Sequence, residues 1–85
     1  MVFRIEFKSS VSRDLKQIDK KIAGKILSQI NETLAKNPSE MGEPLKGEFS
    51  GLYKIRLGDY RIIYAIIKNE TVLVLRIRHR SKSYE

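Results

Sequence analysis

The sequence predicts an α+β fold in which an N-terminal strand and a helical hairpin pack on a mostly antiparallel, twisted sheet. Two observations predict it. Apolar residues follow a helical spacing between residues 11 and 34. After Pro44 the chain consists of β-branched and aromatic runs separated by short turns. The expected order is β-α-α-β-β-β, and 85 residues allow one domain, spanning residues 1–85.

The first element is predicted from a strict alternation over residues 2–8. Phe3, Ile5 and Phe7 fall on one face, and charged side chains fall on the other. This alternation is typical of a strand that is buried on one side only.

Two helical segments follow. Val11, Leu15, Ile18 and Ile22 recur at spacings of four, three and four, and a second helical pattern continues from residue 23 to residue 34. We expect residues 19–24 to join two helices of a hairpin rather than to bend one helix. Pro38 ends the second pattern, because the residue before a proline is driven out of the helical region. Residues 37–44 are predicted to form a connecting loop.

Three strands are predicted over residues 52–57, 60–67 and 71–78, joined by Gly58-Asp59 and Asn69-Glu70. If both joints are two-residue hairpin loops, the pairing of all three strands follows. The predicted pairs include Arg56 with Arg61, Arg61 with Arg78, Ile63 with Arg76, and Tyr64 with Leu75.

This register divides the sheet into two faces, because opposed residues share a face. The face toward the helices is predicted to carry Tyr53, Ile55, Leu57, Tyr60, Ile62, Tyr64, Ile66, Leu73, Leu75 and Ile77. The other face carries Lys54, Arg56, Arg61, Arg76 and Arg78, and Arg80 and Tyr84 follow in the same alternation. Like charges opposed across strands destabilise a sheet. Because no carboxylate is expected among these cations, the face is interpreted as a binding site for an anion; a solvated outer face is the alternative.

The overall charge agrees with that interpretation. The net charge is +7 and the isoelectric point is about 9.9. Residues 1–53 have a net charge of +2 and residues 54–85 one of +5. Such an excess favours a polyanionic partner. There is no apolar run long enough for a membrane span, no secretory leader is recognised, and cysteine is absent, so a reducing cytoplasm is expected.

The chemistry predicted for this face needs no metal and no cofactor. No cluster of His, Cys and carboxylates has metal-ligand spacing, and the strand region offers only Asp59 and Glu70, both in turns. A cationic face suits RNA cleavage by the neighbouring 2′-hydroxyl, which requires a proton acceptor, stabilisation of the phosphate charge and a donor to the leaving oxygen. His79 is a candidate proton acceptor, but its odd number places it on the opposite face of the sheet from Arg78 and Arg80, so a structural cap at the strand end is the alternative. Tyr84 is interpreted either as a residue that stacks on a base or accepts a proton, or as a residue of the C-terminal tail without a role in the site.

The chain resembles the RelE/ParE superfamily of prokaryotic toxins. The resemblance rests on Ile5-Glu6-Phe7, on Pro44-Leu45-Lys46-Gly47, on the run from Gly51 to Tyr64, and on Ile77-Arg78-His79-Arg80. It implies a small sheet protein with a helical hairpin. In the RelE branch, it implies cleavage of mRNA in the ribosomal A site and neutralisation by a small, acidic antitoxin.

The same resemblance implies roles for individual residues. Arg61 would stabilise the transition-state phosphate, and Arg80 would assist the leaving group or the phosphate. Lys54 and Arg56 would supply charge and positioning, with Lys54 a candidate base, and Tyr84 would stack on or deprotonate the nucleotide. Further contacts to mRNA or 16S rRNA are expected from Lys46, Arg76, Arg78 and Lys82.

Two other functions are compatible with the sequence. The ParE branch shares the fold and inhibits DNA gyrase without nuclease chemistry. A non-catalytic module that binds RNA or the ribosome is the third interpretation. The basic residues on adjacent strands favour the nuclease.

Overall fold

The computed structural model describes residues 2–79 and confirms the α+β class. Its elements are β1 (Arg4–Phe7), α1 (Ser9–Lys16), α2 (Lys20–Leu34), α3 (Pro38–Met41), β2 (Glu43–Pro44), β3 (Leu52–Leu57), β4 (Tyr60–Ile67) and β5 (Thr71–His79), with a 3₁₀ turn at Gly47–Phe49. The strands lie in the order β1-β5-β4-β3-β2. Among the strands of residues 2–79, only β1 and β5 pair in parallel, so the sheet is mostly antiparallel, as predicted.

The two long helices are confirmed, but the junction between them lies at residues 17–19 and not at residues 19–24. The carboxylate of Asp19 accepts a hydrogen bond from the Lys21 amide at 3.2 Å and so caps the start of α2. Gly24 lies inside α2. A single glycine within a helix lowers its stability by only about 1 kcal/mol, and packing of the buried face of the 15-residue helix offsets this loss.

The segment predicted as a loop over residues 37–44 contains two short elements, so that prediction is wrong in part. Pro38 begins one turn of helix, where its fixed φ angle suits the first helical position. Glu43 and Pro44 then pair with Lys54 and Tyr53 as a two-residue strand at the edge of the sheet. An edge strand accommodates Pro44 because the missing amide hydrogen need not pair.

The hairpin between β3 and β4 has the predicted register. Gly58 and Asp59 form its loop, Leu57 lies opposite Tyr60, and Arg56 lies opposite Arg61. Gly58 adopts a φ of 63°, the left-handed region that a two-residue hairpin turn requires and that glycine adopts without strain.

The hairpin between β4 and β5 differs from the prediction. Ile67 pairs with Thr71, so the loop has one residue more than expected, and Lys68 and Asn69 both have positive φ angles. The longer loop shifts the pairing by one residue, which exchanges the two faces of the first part of β5. Val72 and Val74 are therefore fully buried. Leu73 and Leu75, predicted for the core, are only partly buried.

A β-bulge restores the predicted register farther along β5. Tyr64 pairs with Val74 and Ile63 pairs with Arg76, so Leu75 is the extra residue between them. The predicted pair of Tyr64 with Leu75 is wrong for this reason. The predicted pairs of Ile63 with Arg76 and Arg61 with Arg78 are confirmed.

The core lies between the helices and one face of the sheet. Its buried apolar residues are Val11, Ile26, Ile30, Leu34, Ile62, Tyr64, Val72, Val74 and Ile77. The opposite face of the sheet carries the cationic residues. None of the helices between residues 2 and 79 is long and apolar enough to span a membrane.

Candidate functional site

A row of three arginines crosses the sheet near the loop between β3 and β4. Arg56 lies directly opposite Arg61, and Arg61 lies directly opposite Arg78. Residues that are paired across strands share a face, so the three guanidinium groups belong to one surface. Like charges opposed across strands destabilise a sheet, and guanidinium groups suit phosphate because they can donate two parallel hydrogen bonds.

Two of these arginines also line a groove at the β2–β3 side of the sheet. The groove has a volume of about 490 Å³ and is lined by Met41, Glu43, Lys54, Ile55, Arg56 and Arg61. Lys54, Arg56 and Arg61, which the sequence predicted as site residues, are thus brought together. Arg78 lines a separate groove of about 360 Å³ beside α1.

A carboxylate lies among the cations of the larger groove, so the expectation of a face without carboxylates is wrong. Glu43 Oε2 lies 3.8 Å from Lys54 Nζ, and the pairing of β2 with β3 places the two residues opposite each other. The side chain of Glu43 is 79% exposed and is therefore accessible to a ligand. Glu43 was missed because residues 37–44 were interpreted as a loop. Pro44 was the available signal, since proline within a sheet marks an edge strand.

The position of Glu43 is fixed by the contact of α3 with the core. The buried hydroxyl of Tyr64 donates a hydrogen bond to the Pro38 carbonyl oxygen at 2.6 Å. Burial, with a smaller contribution from Tyr53, raises the pKa of Tyr64 to about 12, so the hydroxyl keeps its proton at neutral pH. Gly42 packs so closely that an added Cβ would collide with the Tyr64 hydroxyl and lie 2.9 Å from the Lys54 carbonyl oxygen. Glycine at residue 42 therefore allows the chain to turn directly into β2.

Arg76 was expected on a face without carboxylates, but it is paired with one. Its Nε and Nη2 atoms donate to the carboxylate of Asp14 on α1, at 3.0 and 3.1 Å. Asp14 is only 9% exposed. The sequence pattern gave no sign of this pair, because the two residues are 62 positions apart.

His79 lies on the helix-facing side of the sheet, as its parity predicted. It pairs with Tyr60, and the two rings meet edge to face with centroids 5.2 Å apart. Direct participation of His79 in catalysis stays a prediction.

Lys46 is exposed next to the 3₁₀ turn and does not line the groove. Three predicted site residues, Arg80, Lys82 and Tyr84, lie outside the described residues.

The sequence and the fold are both similar to those of known proteins. Residues 5–84 match the family model described as ParE toxin of type II toxin-antitoxin system, parDE. The chain is 34% identical over 83 residues to toxin RelE of Mycobacterium tuberculosis, covering 96% of this chain and 86% of that protein. It is 31% identical over 85 residues to toxin RelG of the same organism, covering 99% and 98% of the two chains.

Solved structures of RelE-type toxins are also similar to this chain. The toxin–antitoxin complex RelBE2 of M. tuberculosis contains a chain with a TM-score of 0.84 and 29% identity, covering 94% of this chain and all of that one. An archaeal RelE–RelB complex from Pyrococcus horikoshii contains a chain with a TM-score of 0.73 and 26% sequence identity, covering 98% of this chain and all of that one. The chain belongs to the RelE/ParE superfamily of toxins from type II toxin–antitoxin systems and is a RelE-like member of it.

Proposed function

We propose that this toxin is a ribosome-dependent endoribonuclease that cuts mRNA in the ribosomal A site and so inhibits translation. The observation that carries the proposal is the groove that Arg56, Arg61 and Lys54 line together with one exposed carboxylate, Glu43. Such a set provides positive charge for a phosphate and a proton acceptor for a hydroxyl. The names of the relatives, toxin RelE and toxin RelG, support the same function.

The arginines act on the phosphate. Arg56 and Arg61 are paired across strands, so their guanidinium groups reach a single phosphate from two strands of a rigid sheet. Charge on the non-bridging oxygens grows as the fifth bond to phosphorus forms, and preorganised cations stabilise that charge more than they stabilise the ground state. Lys54 adds a third positive charge in the same groove.

Glu43 is the proton acceptor in this mechanism. A carboxylate is ionised at neutral pH, whereas a free lysine is protonated and a poor base. Glu43 takes the proton of the 2′-hydroxyl, the 2′-oxygen attacks the adjacent phosphorus, and the bond from phosphorus to the 5′-oxygen breaks. The products are a 2′,3′-cyclic phosphate and a 5′-hydroxyl. The 5′-oxygen takes up a proton from water as it leaves, and Arg80 assists the leaving group or the phosphate as a cation, as the resemblance implies.

The exposure of the groove to solvent supports a dependence on the ribosome. In-line attack requires the 2′-oxygen, the phosphorus and the leaving oxygen to be aligned, and fixing that geometry supplies a large part of a rate enhancement. An exposed Glu43 and an open cationic surface cannot align a flexible mRNA by themselves. We therefore assign this alignment to the A site in the cytoplasm, with Lys46, Arg78 and Lys82 contacting mRNA or 16S rRNA.

A cognate antitoxin is the expected protein partner. The solved relatives from M. tuberculosis and P. horikoshii are complexes with RelB antitoxins. We propose that a small, acidic antitoxin covers part of the cationic face and competes there with RNA.

Inhibition of DNA gyrase is the second candidate, because the matching family model has the ParE name. One pair of assays separates the two functions. After induction, the nuclease predicts cuts in ribosome-bound mRNA that leave 5′-hydroxyl ends, with no accumulation of gyrase–DNA complexes. Intact mRNA together with trapped gyrase–DNA complexes would show the second function. If neither mRNA cuts nor gyrase–DNA complexes are observed, the result would indicate a non-catalytic binding module.

A further inference from the structure

An exposed apolar side chain forms one wall of the cationic groove. Met41, the last residue of α3, is 49% exposed and lines the groove together with Glu43, Lys54 and the two arginines. A bound phosphate would use the cations and a 2′-hydroxyl would use the carboxylate, but neither would use this thioether. The wall therefore suits a part of the ligand that is apolar and lies close to a phosphate.

The backbone that carries Met41 is well fixed. The Met41 amide donates to the Asn37 carbonyl oxygen at 3.0 Å. The same helical turn is joined to the core by the hydrogen bond from Tyr64 to Pro38, and Gly42 packs against Tyr64 immediately after it. Met41 is thus presented at the rim of the groove by a turn held at both ends, which reduces the entropy lost when a ligand contacts it.

We propose that Met41 contacts the face of a nucleobase adjacent to the phosphate held by Lys54, Arg56 and Arg61. The proposal rests on the proposed function and adds a base-binding subsite to it. A methionine sulfur and its methyl group make favourable contacts with aromatic rings, and every nucleobase has such a ring. Because Met41 has no strong hydrogen-bond donor or acceptor, the subsite binds bases without reading their identity.

The test compares two oligonucleotides in a binding assay that does not require cleavage. One is a six-nucleotide DNA strand, which lacks the 2′-hydroxyl and cannot be cut. The other has the same backbone with abasic residues. Both are titrated with the wild type, Met41→Ala, Met41→Leu and Arg56→Gln by fluorescence anisotropy at several salt concentrations.

The wild type is expected to bind the base-bearing strand about two- to tenfold more tightly than the abasic strand, the range expected for one sulfur–ring contact. Met41→Ala should remove most of this preference without changing the salt dependence, and Met41→Leu should keep part of it. Arg56→Gln should weaken binding of both strands equally and lower the logarithmic salt slope by about 0.7.

Three results would overturn the inference. If the wild type binds both strands equally, or if Met41→Ala keeps the full preference, the base subsite is wrong while the phosphate groove of the proposed function stands. If neither strand binds, the cationic groove itself does not hold a nucleic-acid backbone, and the basis of both proposals is lost.

Discussion

Asp14 on α1 accepts three hydrogen bonds from β5: two from the Arg76 guanidinium, at 3.0 and 3.1 Å, and one from the Ile77 amide, at 2.9 Å. The parallel pairing of β1 with β5 ends at Phe7 and Val74, so within residues 2–79 no strand pairs with the rest of β5 on this side. Helix α1 takes the place of that strand, with Asp14 satisfying a backbone amide that a neighbouring strand would otherwise pair. The part of β5 that carries Arg78 is therefore anchored to a helix.

Removing the Asp14 carboxylate should destabilise the fold. Asp14→Ala leaves the Ile77 amide unpaired in a buried position and separates Arg76 from its partner, which together should cost about 2–4 kcal/mol. Urea denaturation measures the free energy of unfolding. Asp19→Ala is the matched control, because Asp19 caps α2 with an exposed side chain and its loss should cost about 1 kcal/mol. Equal losses in the two variants would contradict the anchoring role of Asp14.

Arg76 and Arg56 should differ in their contribution to RNA binding. Arg76 is already paired with Asp14, whereas Arg56 lines the groove. Arg56→Gln should therefore weaken RNA binding and lower its salt slope by about 0.7, and Arg76→Gln should change both much less. Anisotropy titrations across a series of salt concentrations make this comparison. A larger effect of Arg76→Gln would show that its guanidinium leaves Asp14 to bind RNA.

The Tyr64 hydroxyl should affect stability at high pH. Its pKa is raised to about 12 in the folded protein, against an ordinary value near 10. Below pH 10 the hydroxyl is protonated in the folded and the unfolded protein, so its contribution to the free energy of unfolding is fully present. Between pH 10 and 12 the unfolded chain releases the proton first, and the contribution is lost by at most about 1.4 kcal/mol per pH unit.

Tyr64→Phe isolates this effect. The variant should be less stable than the wild type at neutral pH by about 1–3 kcal/mol, because the buried Pro38 carbonyl loses its donor. The difference between the two proteins should then shrink from pH 10 to 12, as followed by denaturant unfolding at each pH. A difference that stays constant over this range would mean that Tyr64 does not titrate as described.

Glu43 should be required for cleavage and not for binding. Glu43→Gln removes the proton acceptor, so single-turnover cleavage of ribosome-bound mRNA should slow by about 10²- to 10⁴-fold. RNA affinity should be unchanged or higher, because a negative charge is lost from a cationic groove. Glu48→Gln, an exposed carboxylate in the 3₁₀ turn, is the control and should cleave normally. Near-normal cleavage by Glu43→Gln would return Lys54, His79 and Tyr84 as the candidate bases.

The parts of the fold that follow from local patterns were predictable. The helical spacing gave both long helices, and the tight Gly58-Asp59 turn gave the pairing of Arg56 with Arg61. The loop between β4 and β5 was not predictable in the same way, because positive φ angles at Lys68 and Asn69 are not typical of a lysine. A single extra loop residue reversed the predicted face of Leu73, and Leu75 became the extra residue of the bulge that restores the register.

The candidate site was predicted only in part for a related reason. Cations on paired strands can be located from turn lengths, so Lys54, Arg56, Arg61 and Arg78 were found. Glu43 and Asp14 reach the cations from a two-residue strand and from a helix, and such contacts depend on tertiary packing. No spacing rule within the sequence connects Asp14 to Arg76.

The central claim is that the groove containing Arg61 cleaves mRNA on the ribosome. Primer extension on mRNA after induction tests it most directly, comparing the wild type with Arg61→Ala and with Arg13→Ala, an exposed arginine on α1 outside the groove. We expect new mRNA ends for the wild type and Arg13→Ala, and a loss of at least about 100-fold for Arg61→Ala with the fold intact. Undiminished cleavage by folded Arg61→Ala, or uncut mRNA with the wild type, would contradict the claim.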